Sequence, residues 1–440
     1  MLGNISEPVR KQFSIIISTA LFLFVAVIFC SNPVSAAGFR VSSQGAKAMA
    51  LGDANVALAD DPSALAYNPA GIAFQPGNQV QGGLTAIIVP PFTFDGTTRL
   101  SGTSAVHEDS ESGLFAAPTL YLTSSLKSLP ISFGLGINAF YPLATKWKGD
   151  GAFRDDVYSI SFKPINFQPT VAYRFDDLKL AVAAGFDITY ATVSLNKTAF
   201  TPLPPAMGGG YPELGALSVD GSGVGYGFNL GTQWKPRPDL NFGIAYRSRI
   251  HLPLKGDADY RATTATGANP ALGLSGNVQT SVAADVTLPD MLTFGVAWKP
   301  VDRLMLEFDV ERTGWSSYDK LELKFGNGLA AFNNKPDPKN WKDVWAYRFG
   351  GQYSLTDSLD LRAGYAFENN PAPDSTLGPE LPDADRHNFS IGCGIHNNLG
   401  SIDLGYVWVN FADRTVSNGM LNGAFKADAH LIGASVTYKF

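Results

Sequence analysis

Leu431–Phe440, LIGASVTYKF, alternates without a break. Ile432, Ala434, Val436, Tyr438 and Phe440 fall on one face of an extended chain, while Leu431, Gly433, Ser435, Thr437 and Lys439 fall on the other. The first face is wholly apolar; the second mixes small and polar side chains. A soluble sandwich also alternates, but its strands are shorter and its apolar face is the inner one. Long strands with a greasy outside and a polar inside suit a closed barrel in a membrane, where closure leaves no backbone group unpaired.

The same alternation recurs upstream. Leu359, Leu361, Ala363, Tyr365 and Phe367 oppose Asp360, Arg362, Gly364 and Ala366; Leu304, Leu306, Phe308 and Val310 oppose Met305, Glu307, Asp309 and Glu311. Leu240, Phe242, Ile244 and Tyr246 oppose Asn241, Gly243, Ala245, Arg247 and Arg249. Strand candidates fall at 80–89, 115–124, 130–143, 157–175, 178–197, 224–235, 240–255, 279–298, 303–315, 343–355, 359–368, 387–396, 401–411 and 425–440, an even count of about fourteen. Short connections (Asp176-Asp177, Asn397–Gly400) alternate with long ones (Pro90–Leu114, Thr198–Gly223, Gly256–Val278), as periplasmic turns alternate with outer loops. Tyr141, Trp147, Tyr173, Trp234, Trp298, Trp315, Trp345 and Trp408 gather near strand ends, as suits the headgroup level.

Composition agrees: 440 residues, 45 glycines, 12% aromatic and only 16% charged. Residues 1–36 read as a secretory signal. Arg10 and Lys11 precede the apolar Phe13–Phe29, and Val34-Ser35-Ala36 offers a cleavage site; a membrane-anchoring helix is the competing reading. If Cys30 leaves with the signal, Cys393 stands alone and the fold cannot rest on an internal disulfide. A net charge of −6 gives no footing for nucleic acid.

Residues 37–78 differ from the rest. Ala46, Ala48, Ala50, Ala54, Ala57 and Ala59 favour helix, Asp61-Pro62 reads as a helix start, and Asn68-Pro69-Ala70-Gly71 as a hard stop. Two short helices cannot bury a core alone, so the segment is expected to plug the barrel made by residues 79–440; a loosely docked arm is the alternative. The expected fold is therefore an all-β membrane protein, a 14-stranded antiparallel transmembrane β-barrel with a small N-terminal helical hatch in the lumen. Catalysis is not expected. His107, His251, His387, His396 and His430 are scattered, without metal spacing or a nearby serine motif, and nothing implies a metal or cofactor. The competing classes are a surface adhesin or phage receptor and an outer-membrane lipase.

The chain resembles the FadL-type outer-membrane transporters of long-chain fatty acids and other hydrophobic compounds. The resemblance rests on Ala37-Gly38-Phe39, Ala57–Asp61, Asn68-Pro69-Ala70, Leu288-Pro289-Asp290-Met291, Trp315-Ser316, Trp341-Lys342-Asp343, Tyr347-Arg348 and Pro382–Arg386, in that order. It implies a Gram-negative outer membrane, surrounded by lipid and lipopolysaccharide, and a long-chain fatty acid or a neutral aromatic or aliphatic hydrocarbon as cargo. It implies capture by outer loops that here carry Phe200, Leu203, Met207 and Leu272, then a lumenal pocket against Phe39. It also implies lateral release at a kink over Tyr141-Pro142, with Asn68, Pro69 and Ala70 pinning the hatch. Pro142 cannot donate to a ladder, so it either kinks the strand or ends it at the rim. Arg247, Lys342, Arg348 and Arg362 are candidates to meet a carboxylate, against pairing with the inward acids Glu307, Asp309, Glu311 and Asp360. Tyr190-Ala191-Thr192 lacks the basic residue expected after Tyr-Ala. The terminal Phe440 resembles the signal read by the barrel-assembly machinery.

Overall fold

The computed structural model describes residues 38–200, 211–262 and 276–440. The expected signal, residues 1–36, and the loop residues Leu203, Met207 and Leu272 lie outside them. Fourteen spanning strands form an antiparallel ring: β1 Asn78–Val89, β2 Gly113–Ser125, β3 Ile131–Asn138 resuming as Leu143–Lys146, and β4 Val157–Phe175. There follow β5 Leu180–Phe200, β6 Glu213–Arg237, β7 Leu240–Arg247 resuming as Ile250–Ala262, and β8 Val278–Leu288 resuming as Met291–Val301. The ring continues through β9 Leu304–Thr313, β10 Val344–Ser354, β11 Leu359–Glu368, β12 Arg386–Asn397, β13 Gly400–Phe411 and β14 Asp428–Lys439. Pairing of Gln79 with Lys439 and of Ile88 with His430 closes β14 onto β1, so the sheet keeps no free edge.

The period-two reading holds along these strands. In β14, Ile432, Ala434 and Val436 are exposed, and Leu431, Gly433, Ser435 and Thr437 are buried. Among the described residues no helix is long and apolar enough to cross a membrane; the strands cross it.

Four expectations need correction. Tyr141, Trp147 and Trp315, expected at headgroup level, are buried inside the protein, packed on Phe39, Phe153 and Phe425 rather than facing lipid. The segment 425–440 is broken: Leu421–Lys426 belongs to a separate sheet, with Thr93–Thr98, Val106–Asp109 and Arg414–Ser417, that covers the outer end. The expected loop 198–223 is in good part strand, because β6 starts at Glu213; there the faces are reversed, with Leu217 and Val219 buried and Ala216 and Asp220 exposed, so the pattern of a greasy outside does not mark it. Arg249 is exposed rather than lumenal, because β7 is interrupted at Ser248-Arg249 and the alternation restarts.

Residues 38–75 lie against the inner faces of the strands, as two short helices (α1 Ala46–Ala50, α2 Ala64–Tyr67) and a 3₁₀ turn, Pro69–Phe74. Glycines make the room. A Cβ on Gly243 would come within 2.1 Å of the Val56 carbonyl oxygen, and one on Gly364 within 2.1 Å of the Gly52 nitrogen. Gly231, Gly295, Gly350, Gly392 and Gly405 also face the segment, where a Cβ would lie 2.4 to 3.1 Å from its nearest atoms. Side chains there would forbid backbone-to-backbone approach.

Candidate functional site

Phe39 forms the floor of the site. Gly38 holds a left-handed φ of 68°, and a Cβ there would meet the rings of Trp315 and Trp341 at 2.7 and 2.8 Å, so only glycine fits. The Gly38 amide donates to Asp383 (2.7 Å), which is paired in turn with Arg386. Phe39 then enters an aromatic box: Trp315 at 4.7 Å between ring centroids, Tyr318 at 5.7 Å, Trp341 at 5.8 Å, Phe162 at 6.0 Å and Tyr141 at 6.4 Å, mostly edge-on. Above it lies an apolar cavity of about 60 Å³, walled by Leu143, Ile160, Phe162, Val193, Leu195, Val219, Leu254, Val282, Val286 and Tyr318. Burial pushes the Tyr318 hydroxyl up to about 12, so this side chain is uncharged at any physiological pH. In the outer loops, burial opposes the charge on Lys339, but Glu380 beside it outweighs that and raises the ammonium well above its usual range.

The wall beside the cavity is incomplete. From Asn138↔Asn166 to Leu143↔Phe162, β3 advances five residues while β4 advances four, so one extra residue is bulged out at Ala139–Pro142. Pro142 therefore interrupts the strand rather than ending it. The β2–β3 ladder runs from Ser125↔Ser132 only to Leu120↔Ile137, and among the described residues the only strand that the resumed part of β3 pairs with is β4. The seam closes again where the Glu111 amide donates to the Lys146 carbonyl (2.7 Å) and the two side chains form an ion pair. A window bounded by these two closures remains between β2 and β3. Pro118 in β2 and Pro142 in the β3 break remove two backbone donors from its margins, and Pro164 removes a third from β4 opposite the bulge. The N-terminal segment takes up freed carbonyls: the Val41 amide donates to Phe140 (2.8 Å) and Gln44 Nε2 to Ala139 (2.9 Å).

Asn68 ties the segment to the wall. Its Nδ2 donates to the carbonyls of Val56 (2.8 Å) and Thr232 in β6 (3.0 Å), and its Oδ1 accepts from the Ala70 amide (3.2 Å). Pro69 and Ala70 press on Gly231. Each such bond contributes about 0.5–1.5 kcal/mol. Asn68→Ala is therefore expected to speed amide exchange across residues 55–75 by roughly tenfold or more, while the strands exchange as before. Hydrogen–deuterium exchange of the detergent-solubilised barrel reads this; unchanged protection would remove Asn68 as the pin.

The candidate cations separate. Arg247 is buried, paired with Asp187, bonded to Gln168 Oε1 (3.0 Å), and lies 4.2 Å over the ring of Phe140. Arg348 is paired with Glu368 (2.6 Å), Arg40 with Glu311 and Arg362 with Asp403 (2.7 Å). Lys342 is exposed on a loop and does not join them. Phe200 ends β5 away from the cavity, stacked on Tyr211 at 5.1 Å. Residue patterning did not find Tyr318 or the valines of β5, β6 and β8, because nothing in a strand pattern says which lumenal apolar residue faces a void.

A closed fourteen-strand barrel with an apolar outside, an inner segment and a hydrophobic lumenal cavity defines an outer-membrane transport channel. The family model described as "Outer membrane protein transport protein (OMPP1/FadL/TodX)" matches residues 27–440, and the chain belongs to that family. The chain is 24% identical, over 79% of its length and 82% of the relative's, to a long-chain fatty acid transport protein of Salmonella typhi. It is 31% identical to an outer membrane protein of Neisseria meningitidis serogroup B, the match spanning about half of each chain. Among solved structures it is similar to a Pseudomonas aeruginosa FadL homologue (TM-score 0.81, 21% identity, 92% of this chain and 100% of that one). It is also similar to the Ralstonia pickettii toluene transporter TbuX (TM-score 0.66, 18% identity, 91% and 100%). The members are transport channels of the Gram-negative outer membrane, and the chain is not an enzyme.

Proposed function

We propose that the protein carries small hydrophobic molecules inward across the outer membrane, holding them in the cavity above Phe39 and releasing them sideways through the β2–β3 window. The observation that carries this reading is the window itself, open beside an apolar cavity and closed above and below. A sideways exit keeps apolar cargo out of water throughout, and each methylene held in the cavity is favoured by about 0.8 kcal/mol. Residues 37–78 act in this reading as a hatch that blocks the axial route, residues 1–36 as the export signal, and Phe440 as the terminal residue offered to the assembly machinery. The cargo class is drawn from the cavity. Among the described residues its walls carry no buried cation, Lys255 at its edge being exposed, and the arginines turned inward already face carboxylates. Neutral hydrocarbons therefore suit it better than fatty acids.

Deleting Ala139 removes the extra residue and lets β3 run in register with β4 through the kink. Uptake of radiolabelled toluene by cells relying on this channel is expected to fall at least roughly tenfold, while the amount of heat-modifiable barrel stays constant. Uptake that survives this deletion would leave the window without a role.

A further inference from the structure

The motif Leu288-Pro289-Asp290-Met291 lies at a second interruption of the wall. β8 breaks at Pro289-Asp290, opposite the break of β7 at Ser248-Arg249, between the pairs Arg247↔Met291 and Ile250↔Leu288. A strand carbonyl ordinarily lies in the sheet plane and bonds to its neighbour strand. The carbonyl of Pro289 instead accepts a hydrogen bond of 3.2 Å from the buried hydroxyl of Tyr141, which belongs to the break in β3. Arg247, last residue before the β7 break, lies over Phe140. The two interruptions thus meet across the lumen through adjacent residues of β3.

Asp290 fixes the second interruption. Its carboxylate accepts from Arg249 Nε in the β7 break (2.8 Å) and from Arg312 Nη1 in β9 (3.2 Å), and its carbonyl accepts from the Gly314 amide (2.8 Å). It is therefore tied to the strands on both sides. Gly314 precedes Trp315, whose ring stands 6.0 Å from Tyr141 and 4.7 Å from Phe39.

We infer that Asp290 is a positioning residue for transport: by holding Pro289 in place it presents the carbonyl that latches Tyr141 over the window. The latch holds the Tyr141 ring in place beside the unpaired window until cargo displaces Phe39 and the rings around it. Asp290 touches no cargo and acts only through Pro289 and Tyr141. The inference rests on the window being the exit.

The test is a double-mutant cycle in cells that take up radiolabelled toluene only through this channel, with rates normalised to heat-modifiable barrel. Tyr141→Phe deletes the latch hydroxyl alone, and Asp290→Ala frees the carbonyl that receives it. Each is expected to raise the maximal uptake rate about threefold to tenfold, the worth of one buried hydrogen bond. The half-saturating toluene concentration should move less than about twofold, because the cavity is untouched. The double variant should be no faster than the faster single one. Additive effects, or unchanged rates, overturn the inference. If Asp290→Ala does not assemble, Asp290→Asn, which keeps the shape and loses the charge, takes its place in the cycle. The Ala139 deletion separates the two failures. If it leaves uptake intact, the exit reading fails. If it abolishes uptake while the latch variants behave as wild type, only the latch fails.

Discussion

Replacing Glu307 and Asp309 together with alanine is expected to unseat the N-terminal segment and turn a closed barrel into a leaking one. The two carboxylates project inward from β9 and receive four consecutive backbone amides. Asn55 (2.9 Å) and Val56 (3.1 Å) donate to Asp309 Oδ2, and Ala57 (2.7 Å) and Leu58 (3.1 Å) donate to Glu307 Oε1. Glu311, one turn of alternation further along, is neutralised by Arg40. Among the described residues no ion pair serves Glu307 or Asp309, so the amides carry their solvation, as successive N–H groups do in an anion-binding nest. Each buried donor left unpaired costs on the order of 1–3 kcal/mol, so four of them exceed what Asn68 supplies several times over. The segment has no core to fall back on. In planar bilayers the double variant should show long-lived open events where the parent is quiet, and cells bearing it should become sensitive to vancomycin. Glu307→Gln with Asp309→Asn, which keeps an acceptor oxygen at each position, should lie between. A quiet bilayer for the alanine pair would show that other contacts hold the segment.

The strands were legible because one face of each meets hydrocarbon and the other does not. That constraint acts on every second residue, so β9, β11 and β14 could be assigned to the correct face residue by residue. It fails where the faces reverse, as in Glu213–Gly223 of β6, where Leu217 and Val219 point inward, and where the environment changes along the chain, as between Leu421–Lys426 in the outer sheet and β14 in the wall. The glycines facing the segment were visible as inward residues of alternating strands, but their purpose was not, because a missing Cβ matters only once something lies against it. The kink was half legible. Pro142 marks a lost donor, but whether the strand resumes depends on β4, which lies elsewhere in the sequence. The roles of the arginines were the least legible. Arg247, Arg348 and Arg362 have the right parity for the lumen, and only the fold reveals that Asp187, Glu368 and Asp403 reach them first.

That pairing leads to the second large effect, at Val193. This residue lines the cavity from β5 and is only half-buried, so a charge placed there keeps some access to water and the barrel should still assemble. Val193→Asp puts a carboxylate against cargo that has nothing to offer it. If it strips four methylenes of cargo from the wall, at about 0.8 kcal/mol each, the loss is about 3 kcal/mol, or roughly a hundredfold in half-saturating concentration. Val193→Lys makes the opposite case. The lumenal arginines hold acids of their own and cannot turn to a cargo carboxylate without leaving a buried acid unpaired, a cost larger than the bond they would form. A lysine at 193 has no such obligation. Wild-type protein should therefore take up oleyl alcohol in preference to oleate, and Val193→Lys should reverse that order, with toluene slowed in both variants. Radiolabelled uptake at pH 7 measures all three. Equal uptake of alcohol and acid by the wild type, unaltered by the lysine, would mean that cargo is chosen somewhere other than the cavity above Phe39.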